Sequence, residues 1–338
     1  VCGMVKGANT RPLVSWGNSE QVMEKKILDR NSLIRWARKL GLGVAALVVL
    51  VAALNFPYDV DAPLSAEEIE KNRKYYAEAY QRGTGDSVGT ASDYEAKYVE
   101  FAKAAAESLN ITEMVQSFVK QYGLQDRAVL EIGSGRGYLQ DAAENYTGLD
   151  ISANVSRFYH KKFVLGSATA MPFPDGSFEG GWSIWVLEHV PNPEQALSEC
   201  RRVMKNGAVV FLYPAWNAPS WAAQGYRVRP YADFDLKGKL IKASIPVRTS
   251  TPFRAMAQLP ARMMRELVSY AGPTTLHYHR IEPNYKEYWE ADSDAINGLD
   301  RHEMMLWFRS RGDECLNCAG RAGGILMKSD PLIIRIRK

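Results

Sequence analysis

Apolar and polar positions change rhythm several times along this chain. Leu40–Phe56 is an unbroken apolar run of seventeen residues whose only polar side chain is Asn55. That length is at the lower edge for a helix that crosses a bilayer. The run shows neither a helical period nor a polar face, so a membrane anchor over 40–56 is favoured over a buried core helix. Residues 57–127 then read as a helical lead-in. Ser65-x-x-Glu68 has the form of a capping box and predicts a helix to about Arg82. Gly83–Gly89 is a flexible turn, and Ser92–Tyr122 predicts one or two amphipathic helices, placed either as a lid or against a sheet edge. From Val129 the rhythm becomes that of short buried strands. Val129–Leu139 reads as a strand, a glycine turn and a helix start, and a second short strand ends at Gly148-Leu-Asp150.

The glycine turn carries the first chemistry. An acidic residue about 20 positions beyond a glycine-rich turn after a strand commonly holds a ribose through its hydroxyls. Here Asp150 stands seventeen residues after Gly133. A dinucleotide site requires G-x-G-x-x-G facing a pyrophosphate. This turn is Gly133-x-Gly135-x-Gly137, with Tyr138 where the last glycine would stand and Glu131 two places before the first. Carboxylates at both strand ends suit a nucleoside-containing ligand with hydroxyls and an ammonium group, not a diphosphate.

This turn resembles the glycine motif of the class I S-adenosylmethionine-dependent methyltransferases. The resemblance continues through Gly166–Gly180 (GSATAMPFPDGSFEG), Gly181–Val190 (GWSIWVLEHV) and Glu199–Gly207 (ECRRVMKNG), then a fifth strand at Ala208–Tyr213. It spans residues 128–214 and is nearest the type 11 subgroup, which includes the ubiquinone and menaquinone C-methyltransferases. The resemblance implies an α/β fold: a doubly wound, seven-stranded Rossmann-like sheet occupying 128–338. It implies S-adenosyl-L-methionine as cofactor, held by Glu131, Gly133, Ser134, Gly135 and Gly137, by Asp150 and Ile151, by Ser167 and Ala168, and by Ile184 and Trp185. The sequence departs from the family pattern at Ser167, where an adenine-binding Asp is usual, at Glu179 for Asp and at Asn206 for Pro. Adenine would then rest more on the Ala168 backbone, and a weakened or inactive enzyme stays open.

Composition adds detail outside this domain. At 46% hydrophobic and 24% charged residues the chain can bury a sizeable core, and its net charge of +4 is too small to single out nucleic acid. No RNA-binding module is recognisable, so no nucleic-acid partner is expected. Residues 1–39 form a basic arm with eight Lys or Arg against three acids, while acids follow the apolar run at Asp59, Asp61, Glu67, Glu68 and Glu70. That bias would place the catalytic domain outside the cytoplasm, whereas the cofactor is made and used mainly inside. An interfacial helix, a crossing against the bias, or an organelle interior each reconciles the two. The four cysteines do not form a disulfide framework, and Cys315-x-x-Cys318 reads as a strand or loop pair.

The closing helix (Arg301–Arg311) and strands (Glu314–Cys318, Leu332–Ile336) leave 214–298 as an insertion after strand five. Its first part is aromatic. Its stretch from 214 to 270 has nine Lys or Arg against three acids. Phe253–Tyr270 places Met256, Leu259, Met263, Leu267 and Tyr270 on one helical face, with Pro260 expected to kink or split the helix. Two readings fit: a membrane-surface segment, or a substrate cap with its apolar face on the domain and its charges solvated.

Methyl transfer to a hydroxyl or an acidic carbon needs an aligned nucleophile and a base. His189, following the fourth strand, is the leading candidate, with a structural or capping role as the alternative. His277 and His279 could share one face of a strand, but no third ligand accompanies them and no metal is expected. Tyr285, Asp292 and Asp294 are further polar candidates. The expected function is a membrane-associated methyltransferase acting on a lipophilic small molecule: a quinone precursor, an isoprenoid or a lipid. A non-catalytic anchored binding or assembly factor, and a protein methyltransferase, are the alternatives.

Overall fold

The computed structural model describes residues 17–54, 64–78, 103–219, 221–284, 292–318 and 329–338, with side chains from residue 31 onward. The Gly83–Gly89 turn, the start of the Ser92–Tyr122 segment and Tyr285 lie outside the described residues. The helices are α1 (Gly17–Leu54), α2 (Ala66–Glu78), α3 (Ile111–Gln121), α4 (Pro193–Val203), α5 (Leu236–Thr249), α6 (Thr251–Val268) and α7 (Arg301–Arg309). The strands are β1 (Val129–Ile132), β2 (Tyr146–Asp150), β3 (Lys162–Leu165), β4 (Phe178–Ile184), β5 (Met204–Tyr213), β6 (Tyr278–Arg280), β7 (Asn297–Leu299), β8 (Glu314–Cys315) and β9 (Leu332–Arg335).

Seven strands make one sheet in the order β3-β2-β1-β4-β5-β9-β8. The first five are parallel, and β9 and β8 close the edge antiparallel. A parallel sheet must be covered on both faces, and the strand alternation does this. Leu130, Ile132, Val210 and Leu212 face a core shared with Leu197, Cys200 and Val203 of α4 and Met304–Phe308 of α7. Val129, Val209 and Phe211 face the opposite core, covered by Val115, Phe118 and Val119 of α3. This is the doubly wound, Rossmann-like sheet expected from the sequence. The order reverses beside β1, where β2 lies on one side and β4 on the other. In open α/β sheets ligands bind beyond the strand ends at such a point.

One expectation about the first crossover is corrected. No α-helix follows the glycine turn. The connection to β2 contains only a short 3-10 turn at Gln140–Ala142, and the next connection contains another at Ala153–Phe158. Only eight residues lie between Gly137 and Tyr146, too few for several helical turns and a return. The buried Gln140 side chain holds the crossover instead. Its amide donates to the Phe158 carbonyl (3.2 Å) and accepts from the backbone N–H of His160 (3.0 Å) and Lys161 (3.2 Å). No helix dipole is therefore available at this turn, and ligand recognition falls to backbone N–H groups and carboxylates.

The capping box forms as expected. Ser65 N donates to the Glu68 carboxylate (2.7 Å) and Glu68 N to Ser65 Oγ (3.2 Å), and α2 starts there. Helix α1 is continuous from Gly17, so the boundary expected at residues 39–40 is not a break in secondary structure. Its Asn31–Leu54 stretch is long and apolar enough to cross a membrane by length and composition, and only 6% of that window is buried. Pro260 does not split α6, which runs unbroken from Thr251 to Val268. Pro260 is exposed, so the missing N–H bond lies on the outer side. Ion pairs from Arg262 to Asp300 and Arg265 to Glu303 tie the second half of the helix to α7 and its cap. The charges of α6 thus face the protein and its apolar face points out, the reverse of a solvated cap. Cys315 and Cys318 form a disulfide, where the sequence suggested only a strand or loop pair.

Candidate functional site

The glycine turn is built from left-handed backbone. Gly133, Gly135 and Gly137 have φ of 71°, 50° and 68°, a region that favours residues without a Cβ. A Cβ on Gly133 would collide with the Val186 side chain. A Cβ on Gly137 would stand 2.9 Å from the Tyr159 ring. These contacts force β1, the turn and the segment after β4 into close approach.

Two cavities flank the turn. The larger, about 500 Å³, is walled by Glu131, Gly133, Ser134, Gly135, Ile184 and Trp185 on the sheet side and by Ala106, Asn110 and Ile111 opposite. The smaller, about 130 Å³, is walled by Gly133, Asp150, Ile151, Ser167, Ala168, Trp185 and His189, with Asn72 and Tyr76 of α2 above. Gly133 and Trp185 belong to both walls. The structure therefore brings every residue expected to hold the cofactor, and His189, to one or other cavity except Gly137, which packs against Tyr159; the further candidates His277, His279, Asp292 and Asp294 line neither. Trp185 is itself in the left-handed region (φ 53°), its N–H donating to the Tyr213 carbonyl (2.9 Å). A non-glycine residue held there stores on the order of 1–3 kcal/mol of strain, and such residues cluster at ligand sites.

The carboxylates are differently poised. Asp150 accepts from Gly135 N (2.8 Å) and Ser152 N (2.9 Å), and burial pushes its pKa upward against those bonds. Glu131 accepts from the Tyr146 hydroxyl, and burial pushes it up to about 8. The Tyr159 hydroxyl lies 2.7 Å from Ser134 Oγ and 2.9 Å from the Gly135 carbonyl; accepting from one and donating to the other satisfies both. Ser167 carries a local turn, with its Oγ 2.9 Å from Thr169 Oγ1 and accepting from Thr169 N (3.2 Å).

His189 stands in a 3-10 turn just beyond β4. Its Nδ1 is 2.7 Å from the Tyr76 hydroxyl, which is also 2.9 Å from Asp294 Oδ2. One proton assignment satisfies this chain: His189 Nδ1–H donates to Tyr76, and Tyr76 O–H donates to Asp294. That leaves Nε2 as an acceptor. Burial works against a charged His189, but the carboxylates of Asp294, Glu188 and Asp292 outweigh it and raise its pKa above the ordinary value. Glu188, whose Oε1 accepts from Ala215 N (3.1 Å) and lies 3.8 Å from His189 Nε2, is pushed up by burial to about 7.

Helix α2 is fastened over the smaller cavity. Its Ala77 carbonyl accepts from Ser152 Oγ (3.0 Å) and Asn154 Nδ2 (2.8 Å), just past Asp150. Helix α2 thus lies over the site, whereas α3, from the Ser92–Tyr122 segment, packs on the sheet face through Val115, Phe118 and Val119, with only Asn110 and the first residues of the helix, Ile111, Thr112 and Glu113, reaching the wall of the larger cavity. Sequence reasoning missed Tyr76, Asn72, Tyr146 and Tyr159. Of these, Tyr146 was findable, because it opens β2 in register with Val129. The two insertion histidines do not share a strand face. His277 precedes β6, and His279 is buried with Nε2 3.3 Å from the Ala218 carbonyl, its pKa lowered by burial to about 4. No cluster suited to a metal ion occurs among the described residues.

Comparison with known proteins agrees with this geometry. The profile of the type 11 methyltransferase-domain family matches residues 130–212. A fatty-acid O-methyltransferase of Mycolicibacterium smegmatis is 26% identical over 200 residues, covering 52% of this chain and 70% of that protein. The sterol 24-C-methyltransferase ERG6B of Gibberella zeae is 31% identical over 203 residues, covering 54% and 49%. A ubiquinone biosynthesis O-methyltransferase of Dechloromonas aromatica is 33% identical over 106 residues, covering 26% and 44%. The chain spans about half the length of the last two. Residues 130–212 thus carry a methyltransferase domain of the type 11 family, and the curated relatives with which the chain aligns are methyltransferases.

Proposed function

We propose that this protein transfers a methyl group from S-adenosylmethionine to a lipophilic small molecule while held at a membrane by α1. The carrying observation is the pair of cavities that share Gly133 and Trp185 at the switch point of the sheet. In this reading the adenosine part lies toward Asp150, Ile151, Ser167 and Ala168, and the methionine part toward Glu131 and the glycine turn. The cofactor supplies an activated methyl group on a sulfonium. The chain's own residues orient both partners, exclude water and accept a proton from the acceptor at His189 Nε2. The apolar wall of the larger cavity (Ala106, Ile111, Ile184, Trp185) and relatives named for fatty-acid, sterol and ubiquinone-pathway methylation support an apolar acceptor. The apolar Asn31–Leu54 stretch supports the membrane. The full chain incubated with methyl-labelled S-adenosylmethionine and extracted membrane lipids should place label in the lipid fraction. Label on a polypeptide band would replace the lipid acceptor with a protein one, and label in neither fraction would remove the enzymatic reading.

Glu131 provides a second test. A methionine ammonium beside it requires the carboxylate, yet burial holds the proton up to about 8 before the cofactor arrives. Binding near pH 6.5 should therefore release close to one proton, and affinity should tighten by up to about tenfold per pH unit toward neutrality. Titration calorimetry in two buffers of different ionisation enthalpy measures this release, and Glu131→Gln should abolish it. An affinity independent of pH in the unaltered protein would remove Glu131 from the ammonium's surroundings. For the free protein the sign is opposite. The folded pKa lies above the ordinary 4.5, so the group's contribution to stability is full below about 4.5 and is lost as pH rises through about 8.

A further inference from the structure

We propose that α6 lies in the surface of a lipid bilayer, its outward face among the acyl chains of the leaflet from which α1 emerges. This rests on the reading of α1 as a membrane anchor. The observation that carries it is an inverted helix. The charged residues of α6 are Arg254, Arg262, Arg265 and Glu266, and none of them is exposed. The exposed large side chains are instead Met256, Met263, Met264, Leu267 and Val268, from 48% exposed at Val268 to 69% at Met256, and the remaining exposed positions are Thr251, Pro252, Pro260 and Ala261. Three of these four charges are ion-paired. Arg262 reaches Asp300 (2.6 Å), Arg265 reaches Glu303 (2.8 Å), and Glu266 meets Arg309 (2.5 Å) and His302 (3.3 Å).

In water this arrangement is doubly unfavourable. A surface helix of a water-soluble domain turns its apolar stripe to the core and its charges to solvent. Here charges have been desolvated against α7 and large apolar side chains left outside. The arrangement is favourable where the outside is hydrocarbon. A helix with one apolar face and its charges on the opposite face is the interfacial type.

The end of α1 identifies the apolar phase that covers this face. Ala52 and Ala53, at the end of α1, pack against Val247 of α5 and Phe253 and Ala257 of α6. The apolar surface of α6 therefore starts where the apolar stretch of α1 ends. Most of the exposed large apolar side chains among the described residues belong to these two helices. At about 1.5 Å per residue, Asn31–Leu54 matches or exceeds a hydrocarbon core of about 30 Å. Exposed Lys237 and Lys239 beside exposed Leu236 at the start of α5 suit anionic headgroups. A second copy of the chain could cover α6, but it would not account for the α1 surface that joins it.

The test uses the full chain with Cys2→Ser, so that one introduced cysteine carries an environment-sensitive dye. Cys200 is buried and Cys315 and Cys318 are bonded to each other. Dyes are placed at Leu267→Cys, Leu47→Cys and, as a control on the sheet domain, Lys205→Cys. The protein is reconstituted into phosphatidylcholine–phosphatidylglycerol vesicles with or without brominated acyl chains. Emission from positions 267 and 47 should be lost to brominated lipid and resist iodide, and position 205 should show the opposite. Quenching at 47 with position 267 open to iodide would overturn the placement of α6 and leave the anchor standing. Iodide access at both would overturn the anchor as well. Protection of 267 from both quenchers would assign the face to a second protein copy and overturn the proposal.

Discussion

Gly133→Ala should weaken S-adenosylmethionine binding by roughly a hundredfold while leaving a folded protein. Two separate effects contribute. The left-handed backbone at φ 71° costs an L-residue about 1–2 kcal/mol. The added methyl also meets the Val186 side chain, and overpacking of that kind costs about 1–3 kcal/mol. The sheet core below is untouched, so the strain is relieved where the structure yields most easily, at the turn and at the Trp185–Val186 segment. Both are walls of the cavities. Gly133→Ala combined with Val186→Ala removes the collision and keeps the backbone strain, so it should recover part of the affinity. Calorimetric titration measures the binding, and a thermal melt of each variant checks the fold. Undiminished binding in the single variant would place the cofactor elsewhere.

His189→Gln should leave cofactor affinity within about threefold and slow methyl transfer to extracted lipids by about 10²–10⁴-fold, the range for losing a general base. Tyr76→Phe should have a smaller effect of a distinctive kind. It deletes the hydroxyl 2.7 Å from Nδ1 and 2.9 Å from Asp294 without emptying the space. A buried imidazolium that loses this acceptor is less stable, so its pKa falls. The unaltered enzyme has His189 raised by neighbouring carboxylates, so its base form grows, and its rate rises, as pH climbs from 6 through the His189 pKa. In Tyr76→Phe that limb should shift to lower pH and the plateau rate should fall. A profile that keeps its position in both variants would assign His189 a packing role only. The sign for stability follows from the same shift. A histidine raised above 6.5 contributes stability that is full below that value and is lost as pH rises through its folded pKa.

How much of this could be read from the chain depended on the distance over which each feature is encoded. The glycine turn, Glu131 and Asp150 lie within 20 residues or so, and their spacing follows from the strand–turn–strand geometry itself. They were legible, and so was the sheet, because strand alternation and the family segments through Tyr213 run in order. Tyr76 and Asp294 were not. They approach His189 from 113 residues before it and from the far end of the insertion, and no local pattern records that docking. The missing helix after the turn was misread for a related reason. The apparent helix start is overridden by the Gln140 side chain, whose partners at 158, 160 and 161 belong to the next crossover. On α6 the period identified which residues share a face. Which way that face turns depends on Asp300, Glu303 and Arg309 of a later segment.

Helix α2 has a consequence for timing. It roofs the cavity beside Asp150 through the Ala77 carbonyl, and the preceding residue carries the Tyr76 hydroxyl that completes the chain to Asp294. Any route that admits adenosine by lifting α2 also takes Tyr76 away from His189. An open cofactor port and a finished proton relay are then mutually exclusive states. In the proposed enzyme the sulfonium would meet a competent base only after bulk water has been shut out, and each turnover would end by dismantling the base to release the spent cofactor.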